Sequence, residues 1–242
     1  MPAALIVAHG SPANPAPQET ALCALAASVQ ALLPAGWQVQ GATLAMPGAL
    51  EAALGALRDP LIYPFFMAQG WFTGRVLPRR LAGAGAAGLR QLDPFGVDPD
   101  LPALVARVAT EAATAAGLDP WQTTLLLAAH GSKVSRTSAS STHAMAAHMR
   151  ALTSFARVVV GFVEEAPFLA DAARDLGPAV CLPFFALRAG HVEGDVPEAL
   201  AAAGFGGILL PEIGAHPAAA GLIAAALLRG AQAGGHPPTQ AG

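Results

Sequence analysis

The sequence predicts an α/β protein built of two similar lobes, each a short parallel sheet flanked by helices. Three observations predict this fold class. The segment Val7-Ala8-His9-Gly10-Ser11 recurs 121 positions later as Ala128-Ala129-His130-Gly131-Ser132. Further anchors recur in the same order at nearly the same spacing, and each half alternates short apolar runs with helical stretches. Strand–helix alternation favours parallel sheets with right-handed crossovers and helices on both faces.

The repeat extends through the whole chain. After the first anchor, four more pairs recur at offsets between 118 and 120: Val39-Gln40-Gly41 with Val159-Val160-Gly161, Pro64-Phe65-Phe66 with Pro183-Phe184-Phe185, Gly70 with Gly190, and Gly96-Val97-Asp98-Pro99 with Gly214-Ala215-His216-Pro217. This long period indicates a tandem duplication and not a short-period solenoid. We therefore predict lobes at residues 1–118 and 119–233, joined near 115–120, followed by a flexible tail at 234–242.

The second half shows the predicted elements clearly. Short apolar runs bounded by Gly, Pro or polar residues predict buried parallel strands at 124–128, 157–162, 179–182 and 207–210. Helical stretches lie between and after them, at 141–152, 168–175, 197–203 and 217–230. Pro197 suits the first turn of a helix, because backbone amides in the first turn have no acceptor within the helix. The amide hydrogen that proline lacks is therefore not needed there.

Composition excludes several classes of protein. The 242 residues carry a formal charge of −3 and only 12% charged residues, without a basic run, so the footprint of a nucleic-acid binder is missing. The chain is 54% hydrophobic, yet no stretch of about 18 residues is apolar enough to span a bilayer. The two cysteines, Cys23 and Cys181, form no CxxC motif. The N-terminus does not resemble a signal peptide, and we expect a cytoplasmic protein.

Polar side chains follow three predicted strands of the second half. His130 comes directly after the first strand, Glu164 and Glu165 follow the second, and His191 lies in the loop after the third. Because ligands bind outside the carboxyl ends of parallel strands, these groups should meet at one edge of one sheet. Two imidazoles and a carboxylate suit a divalent transition metal with open coordination positions, without selecting among Fe, Co, Ni and Zn.

The first half serves as an internal control for this constellation. His9 remains, but sequence matching puts Leu44 and Ala45 at the glutamate positions and Trp71 at the position of His191. If folding alone required the polar groups, both lobes should keep them. We therefore expect one active site, in the C-terminal lobe. Trp71 is then open to two interpretations, as a wall for a flat ligand or as a core residue.

Three segments of the second half resemble the signature segments of the sirohydrochlorin chelatases, the class II, ATP-independent chelatases of cobalamin and siroheme synthesis. They are Ala129-His130-Gly131-Ser132, Gly161-Phe162-Val163-Glu164-Glu165-Ala166-Pro167, and the run from Leu182 to Pro197 that contains Gly190-His191-Val192-Glu193-Gly194-Asp195. The third segment is the most specific of them. The resemblance covers both halves and implies the two-lobe form of the family.

The resemblance implies insertion of Co²⁺ or Fe²⁺, as the substrate metal and without a nucleotide, into a sirohydrochlorin-type tetrapyrrole held in the cleft between the lobes. Carried over, the family's metal ligands fall on His130, Glu164 and His191. The segment from Phe162 to Pro167 is one residue shorter than is usual in the family. Glu165 therefore remains an alternative to Glu164, which we favour because of its distance from Phe162.

The carboxylates of such a substrate call for cationic partners, since an arginine fork matches a carboxylate. The candidates in the motif loops are Arg188, Lys133 and Arg136, and those in the matching region of the first lobe are Arg75, Arg79 and Arg80. His9 is either a relic of the duplication or a proton acceptor that faces the substrate. His143 and His148 are interpreted as structural or surface residues. Asp195 is either a helix cap or a partner of His191.

Two other functions remain open on the sequence. A non-catalytic carrier could bind a metal or tetrapyrrole for delivery, and the altered ligand positions of the first lobe keep that idea open. A metal-dependent hydrolase is a third hypothesis, because a His/His/Glu site can activate water. The sequence predicts no nucleic-acid or membrane partner and does not indicate an oligomeric state.

Overall fold

The computed structural model describes residues 1–132, 137–188 and 191–234, and the side chains of all of these except residues 137, 138, 191, 193 and 234. The strands are β1 (Ala3–Ala8), β2 (Gln38–Thr43), β3 (Leu61–Pro64), β4 (Thr124–Ala129), β5 (Arg157–Phe162), β6 (Ala179–Pro183) and β7 (Ile208–Leu209). The α-helices are α1 (Pro15–Leu32), α2 (Ala49–Ala56), α3 (Leu77–Gly83), α4 (Leu101–Ala115), α5 (Thr137–Leu152), α6 (Leu169–Ala172), α7 (Val196–Ala202) and α8 (Ala218–Gly234).

The strands form two parallel sheets, one from each half of the chain. The first sheet has the order β2-β1-β3 and the second has the order β5-β4-β6-β7. The central strands β1 and β4 are buried along their whole length, which explains why both appear in the sequence as continuous apolar runs. The predicted fold class, two similar α/β lobes with parallel sheets, is confirmed.

Some predicted bounds differ from the observed ones. Helix α5 already begins at Thr137 and α8 continues to Gly234, whereas α6 is shorter than predicted and ends at Ala172. Asp175 adopts a φ of +52°, which a right-handed helix does not contain, so the helical pattern of 168–175 is interrupted there. Residues 235–242 of the predicted tail lie outside the described residues.

The last helix of each half packs against the other half. Helix α4 contacts α5 and β6, and α8 contacts α1 and β3. Buried residues of both helices and both sheets form one continuous hydrophobic core. Separate clusters cover the outer face of each sheet, under α2 and α3 in the first half and under α6 and α7 in the second. The boundary at residue 118 stays a prediction.

Polar contacts also join α8 to the first half. Arg229 forms ion pairs with Asp98 at 3.0 Å and with Asp100 at 2.7 Å. Arg90 donates to the carbonyl oxygen of Gly230 at 2.6 Å. Asp98 is buried, and this burial raises the pKa of its carboxyl group, whereas the Arg229 guanidinium lowers it.

The anchor pair Gly96 and Gly214 has a packing cause. The amide of Gly96 donates to the carbonyl oxygen of Phe66 at 2.9 Å, and that of Gly214 donates to Phe185 at 3.0 Å. A Cβ atom at either glycine would collide with the backbone carbonyl of the loop after β3 or β6. The repeat therefore keeps glycine where two backbone segments touch.

In the part of the chain that the structure describes, none of the helices combines the length and the apolar character needed to cross a lipid bilayer.

Candidate metal site

His130 lies at the carboxyl end of the central strand β4. The strand is buried, whereas the His130 side chain is exposed. Its Nδ1 atom lies 2.8 Å from the carbonyl oxygen of Gly131. Because a carbonyl oxygen only accepts hydrogen bonds, Nδ1 carries the proton and the neutral ring keeps its lone pair on Nε2. This tautomer presents Nε2 as the nitrogen that can bind a metal ion.

Glu164 lies beside His130 because the parallel ladder continues beyond the strands. The amide of Val163 donates to the carbonyl oxygen of Ala129 at 3.0 Å, and the amide of Glu164 donates to that of His130 at 2.9 Å. The structure thus brings His130 and Glu164 together at one sheet edge, as the strand order predicts. Their role as metal ligands stays a prediction.

The neighbouring Glu165 has a different environment. Its Oε1 atom accepts a hydrogen bond from the backbone amide of Ser132 at 2.8 Å. The same side chain lies directly over Gly131, where an added Cβ atom would meet Glu165 Cγ and Oε1 at 2.9 Å. This carboxylate therefore holds the loop that carries His130.

Glu164 also lines a cavity of about 470 Å³ between the loop after β5 and helix α7. Asp195 and Glu198 line the same cavity. Asp195 ends a π-helical turn, His191–Asp195, which begins at the third candidate ligand. The second and third motifs are consequently neighbours in space. The side chain of His191 lies outside the described residues.

Of the three cationic residues predicted in the motif loops of the second lobe, one lies within the described residues. Arg188 is exposed, and its carbonyl oxygen accepts a hydrogen bond from Gln18 Nε2 of helix α1 at 3.0 Å. This bond ties the loop after β6 to the first half of the chain. Lys133 and Arg136 lie outside the described residues. Among the described side chains, no three His, Cys, Asp or Glu residues are grouped closely enough to hold a metal ion.

The first lobe repeats the geometry of the first motif. His9 Nδ1 lies 2.7 Å from the carbonyl oxygen of Gly10, as in the second lobe. The amide of Leu44 donates to Ala8 and that of Ala45 donates to His9, each at 2.9 Å. Ala45 therefore corresponds to Glu164. The pairing of Leu44 and Ala45 with the two glutamates is wrong by one residue, since Leu44 corresponds to Val163.

The third motif shows the same one-residue shift. A π-helical turn, Phe72–Val76, precedes α3 in the first lobe, just as His191–Asp195 precedes α7. The residue that corresponds to His191 is therefore Phe72, and the assignment of Trp71 to this position is wrong. The spacing of the repeat falls from 121 at the first motif to 119 here, so matching Gly70 with Gly190 gives a false register. Both ligand positions remain apolar in the first lobe.

The ring of His9 contacts an aromatic side chain of its own lobe. The Phe72 ring contacts the His9 ring edge-on at a centroid distance of 4.5 Å, and Phe66 stacks on Phe72 at 6.2 Å. Trp71 is 59% exposed, which excludes its interpretation as a core residue.

His143 and His148 are exposed on α5, where the His143 ring contacts Phe162 at 5.5 Å. Their interpretation as structural or surface residues fits these positions.

The two cysteines do not contribute to this site. Cys181 is fully buried in β6, and burial raises the pKa of its thiol to about 12, so it stays protonated near neutral pH. Cys23 lies on α1, where burial and the neighbouring Glu19 raise its thiol pKa.

The contact between Glu165 and Ser132 could not be predicted from the sequence, because a hydrogen bond between residues 33 positions apart leaves no local pattern.

Two parallel-sheet lobes with candidate ligands on the loops at the carboxyl end of one sheet define a two-lobe chelatase fold. A family model described as CbiX matches residues 124–229. A solved structure of CbiX, the terminal enzyme for biosynthesis of siroheme in denitrifying bacteria, shares 49% identity with this chain. The match covers 95% of this chain and 99% of that one, with a TM-score of 0.86. The chain belongs to the CbiX family of sirohydrochlorin chelatases.

More distant solved structures share the fold. SirB from Bacillus subtilis with Fe³⁺ is 17% identical, with a TM-score of 0.71 over 96% of this chain and 95% of that one. The sirohydrochlorin chelatase SirB from Bacillus subtilis subspecies spizizenii, in complex with cobalt, is 18% identical, with a TM-score of 0.65 over 95% and 93%. No curated protein sequence matches this chain significantly.

Proposed function

We propose that this chain inserts Co²⁺ or Fe²⁺ into sirohydrochlorin, without a nucleotide, at a single site in its second lobe. The observation that carries the proposal is the 49% identity, over nearly the whole of both chains, to a CbiX of siroheme synthesis. The pairing of His130 with Glu164 at the carboxyl edge of the second sheet supports the location. The cobalt and Fe³⁺ complexes of the SirB proteins support a transition-metal substrate.

His130 Nε2, the Glu164 carboxylate and the His191 imidazole are the proposed metal ligands. Glu164 is preferred to Glu165 because the bond from its amide to the His130 carbonyl oxygen places it beside His130, whereas the Glu165 carboxylate holds the Ser132 amide. The first lobe supports a role for His191 beside His130. There, the ring of Phe72 at the position of His191 lies 4.5 Å from the ring of His9.

The ligand set fits the chemistry of metal insertion. The reaction must remove water from the cation and two protons from the pyrrole nitrogens. A neutral imidazole can bind the metal or accept a proton near neutral pH. The carboxylate of Glu164 offsets the charge of the ion and can accept a proton when the metal leaves. An incomplete ligand set weakens the hydration of the metal without trapping it.

The substrate contacts are proposed on chemical grounds. Arg188, Lys133 and Arg136 belong to the motif loops of the second lobe and would pair with substrate carboxylates. The hydrogen bond between Arg188 O and Gln18 supports a substrate position between the lobes, since it holds one motif loop against the first half. His9 would face the substrate from that half.

The test is multiple-turnover metal insertion followed by tetrapyrrole absorption. Wild-type protein should accelerate insertion of Co²⁺ and Fe²⁺ into sirohydrochlorin, and the ratio of the two rates measures the preference between the metals. Three variants each remove one proposed ligand: His130→Ala, Glu164→Gln and His191→Ala. Each should lower the insertion rate by more than about 10- to 100-fold, the loss that is typical when an outer-shell partner of a metal ligand is removed. His143→Ala is the matched control and should keep the wild-type rate. Stoichiometric binding without turnover would replace the proposal by a carrier function.

A further inference from the structure

Two exposed aromatic side chains follow β3 at the carboxyl edge of the first sheet. Trp71 is 59% exposed and Phe72 is 40% exposed. Adjacent large apolar groups in water are unusual on a protein surface without a binding role. They occur in the lobe in which Ala45 and Phe72 occupy two of the three ligand positions.

The turn that carries these rings is held rigidly. Thr73 Oγ1 accepts the amide of Gly70 at 2.9 Å, and the carbonyl oxygen of Thr73 accepts Gln91 Nε2 at 2.9 Å. Phe72 is braced by His9 on its edge and by Phe66, whose ring plane is inclined by 20°. The aromatic surface is therefore preorganised, which lowers the entropy lost on binding.

The turn that carries this surface corresponds to the turn of the second lobe that begins at His191. Phe72 occupies the place in the first lobe that His191 occupies in the second. The loop after β6, which leads to His191, is bound to α1 of the first half through Gln18 and the Arg188 carbonyl oxygen. The loop at the carboxyl edge of the second sheet is therefore held against the first half of the chain.

Positive charge accompanies the aromatic rings. Arg75 lies four residues after Trp71, on the π-helical turn Phe72–Val76, and Arg79 follows on α3. Both side chains are exposed, and neither has a carboxylate within salt-bridge distance in the ranges that the structure describes. A flat conjugated ring with carboxylates at its periphery complements this combination of aromatic faces and guanidinium groups.

We propose that Trp71 and Phe72 form a stacking surface for one face of the tetrapyrrole, while Arg75 pairs with a peripheral carboxylate. The proposal rests on the proposed function and adds a division of labour to it. The second lobe holds the metal ion, and the first lobe holds the macrocycle against it. In this arrangement the aromatic residue at the position of a lost metal ligand has gained a binding role.

The test uses the full-length protein, metal-free sirohydrochlorin and the variant Trp71→Ala. We expect about a tenfold rise in the dissociation constant and in KM for the tetrapyrrole, with kcat at saturation and Co²⁺ affinity unchanged. Trp71→Phe should restore most of the affinity. Trp121→Ala is the matched control, because Trp121 is 73% exposed on the turn before β4, at the opposite edge of a sheet.

The outcomes separate this inference from the proposed function. Equal tetrapyrrole affinities for Trp71→Ala and Trp121→Ala would overturn the stacking surface, even if wild-type protein inserts metal. A loss of kcat or of Co²⁺ affinity in Trp71→Ala without a change in tetrapyrrole affinity would also overturn it. Failure of wild-type protein to accelerate insertion of any metal, by contrast, would overturn the proposed function.

Discussion

The glycine that follows His130 offers a sharp test of how the metal site is built. Gly131 has a φ of +72°, and its carbonyl oxygen accepts the Nδ1 hydrogen of His130. In Gly131→Ala, the left-handed backbone costs about 1–2 kcal/mol. The new Cβ atom would lie 2.9 Å from Glu165 Cγ and 3.0 Å from Phe162 Cβ, and such overpacking costs about 1–3 kcal/mol. The expected loss of stability is about 2–5 kcal/mol.

Gly10→Ala is the matched variant in the first lobe. Gly10 has a φ of +73°, and a Cβ atom there would lie 2.8 Å from Thr43 Cβ and 2.9 Å from Ala45 Cβ. The expected loss of stability is therefore similar. Only Gly131→Ala, however, pushes Glu165 away from the Ser132 amide and disturbs the loop of the proposed metal ligand.

Urea unfolding of both variants measures the two stability losses, and titration with Co²⁺ without tetrapyrrole measures metal affinity under conditions in which both are folded. We expect Gly131→Ala to bind Co²⁺ about tenfold more weakly than wild type, as for a lost outer-shell partner, and Gly10→Ala to bind it normally. Equal Co²⁺ affinities for the two variants would refute the assignment of the site to the second lobe. If Gly131→Ala does not fold, Glu165→Ala tests the same loop contact, because it removes the acceptor of the Ser132 amide.

The fold was predictable to the level of elements and sheets because the duplication supplies each strand twice. The packing of the last helix of each half against the other half was not predictable. Both α4 and α8 show an apolar face, but that pattern is the same whichever sheet the face covers. Only the folded chain shows that Leu104 of α4 and Leu227 of α8 enter one core shared by both halves.

The candidate site was predictable where it depends on strand order and not where it depends on the exact spacing of the repeat. His130 and Glu164 lie at the ends of neighbouring strands, so their proximity follows from a parallel sheet. The segment between β1 and β2 is two residues longer than the segment between β4 and β5, so the spacing of the repeat is already 119 at Ala45 and Phe72. Matching identical residues, such as Gly70 with Gly190, does not reveal this shift.

The internal comparison is stronger after this correction. In both lobes a histidine ring is held by the carbonyl oxygen of the following glycine, at 2.7 Å for His9 and 2.8 Å for His130. Forming this contact therefore does not require a carboxylate, because residue 46 at the position of Glu165 is a methionine. The Glu165 carboxylate occurs only in the lobe with the proposed ligand set, which indicates a function for it beyond folding.

Three further predictions follow from particular contacts. Glu165→Gln keeps an acceptor for the Ser132 amide and should lower metal insertion far less than Glu164→Gln; equal losses would contradict our choice of ligand. A thiol reagent should label Cys23 in the native protein and Cys181 only after unfolding, and rapid native labelling of Cys181 would contradict its burial. Removing the Arg229 side chain, as in Arg229→Met, should cost more stability as the pH rises. The reason is that burial raises the folded-state pKa of Asp98, and Arg229 opposes this rise by stabilising the ionised carboxylate. Without Arg229 the pKa of Asp98 rises further, and the stability lost on ionising this carboxyl group becomes larger. Urea unfolding of both proteins from pH 4 upward measures the difference, and a difference that is independent of pH would contradict the role of the Arg229–Asp98 pair.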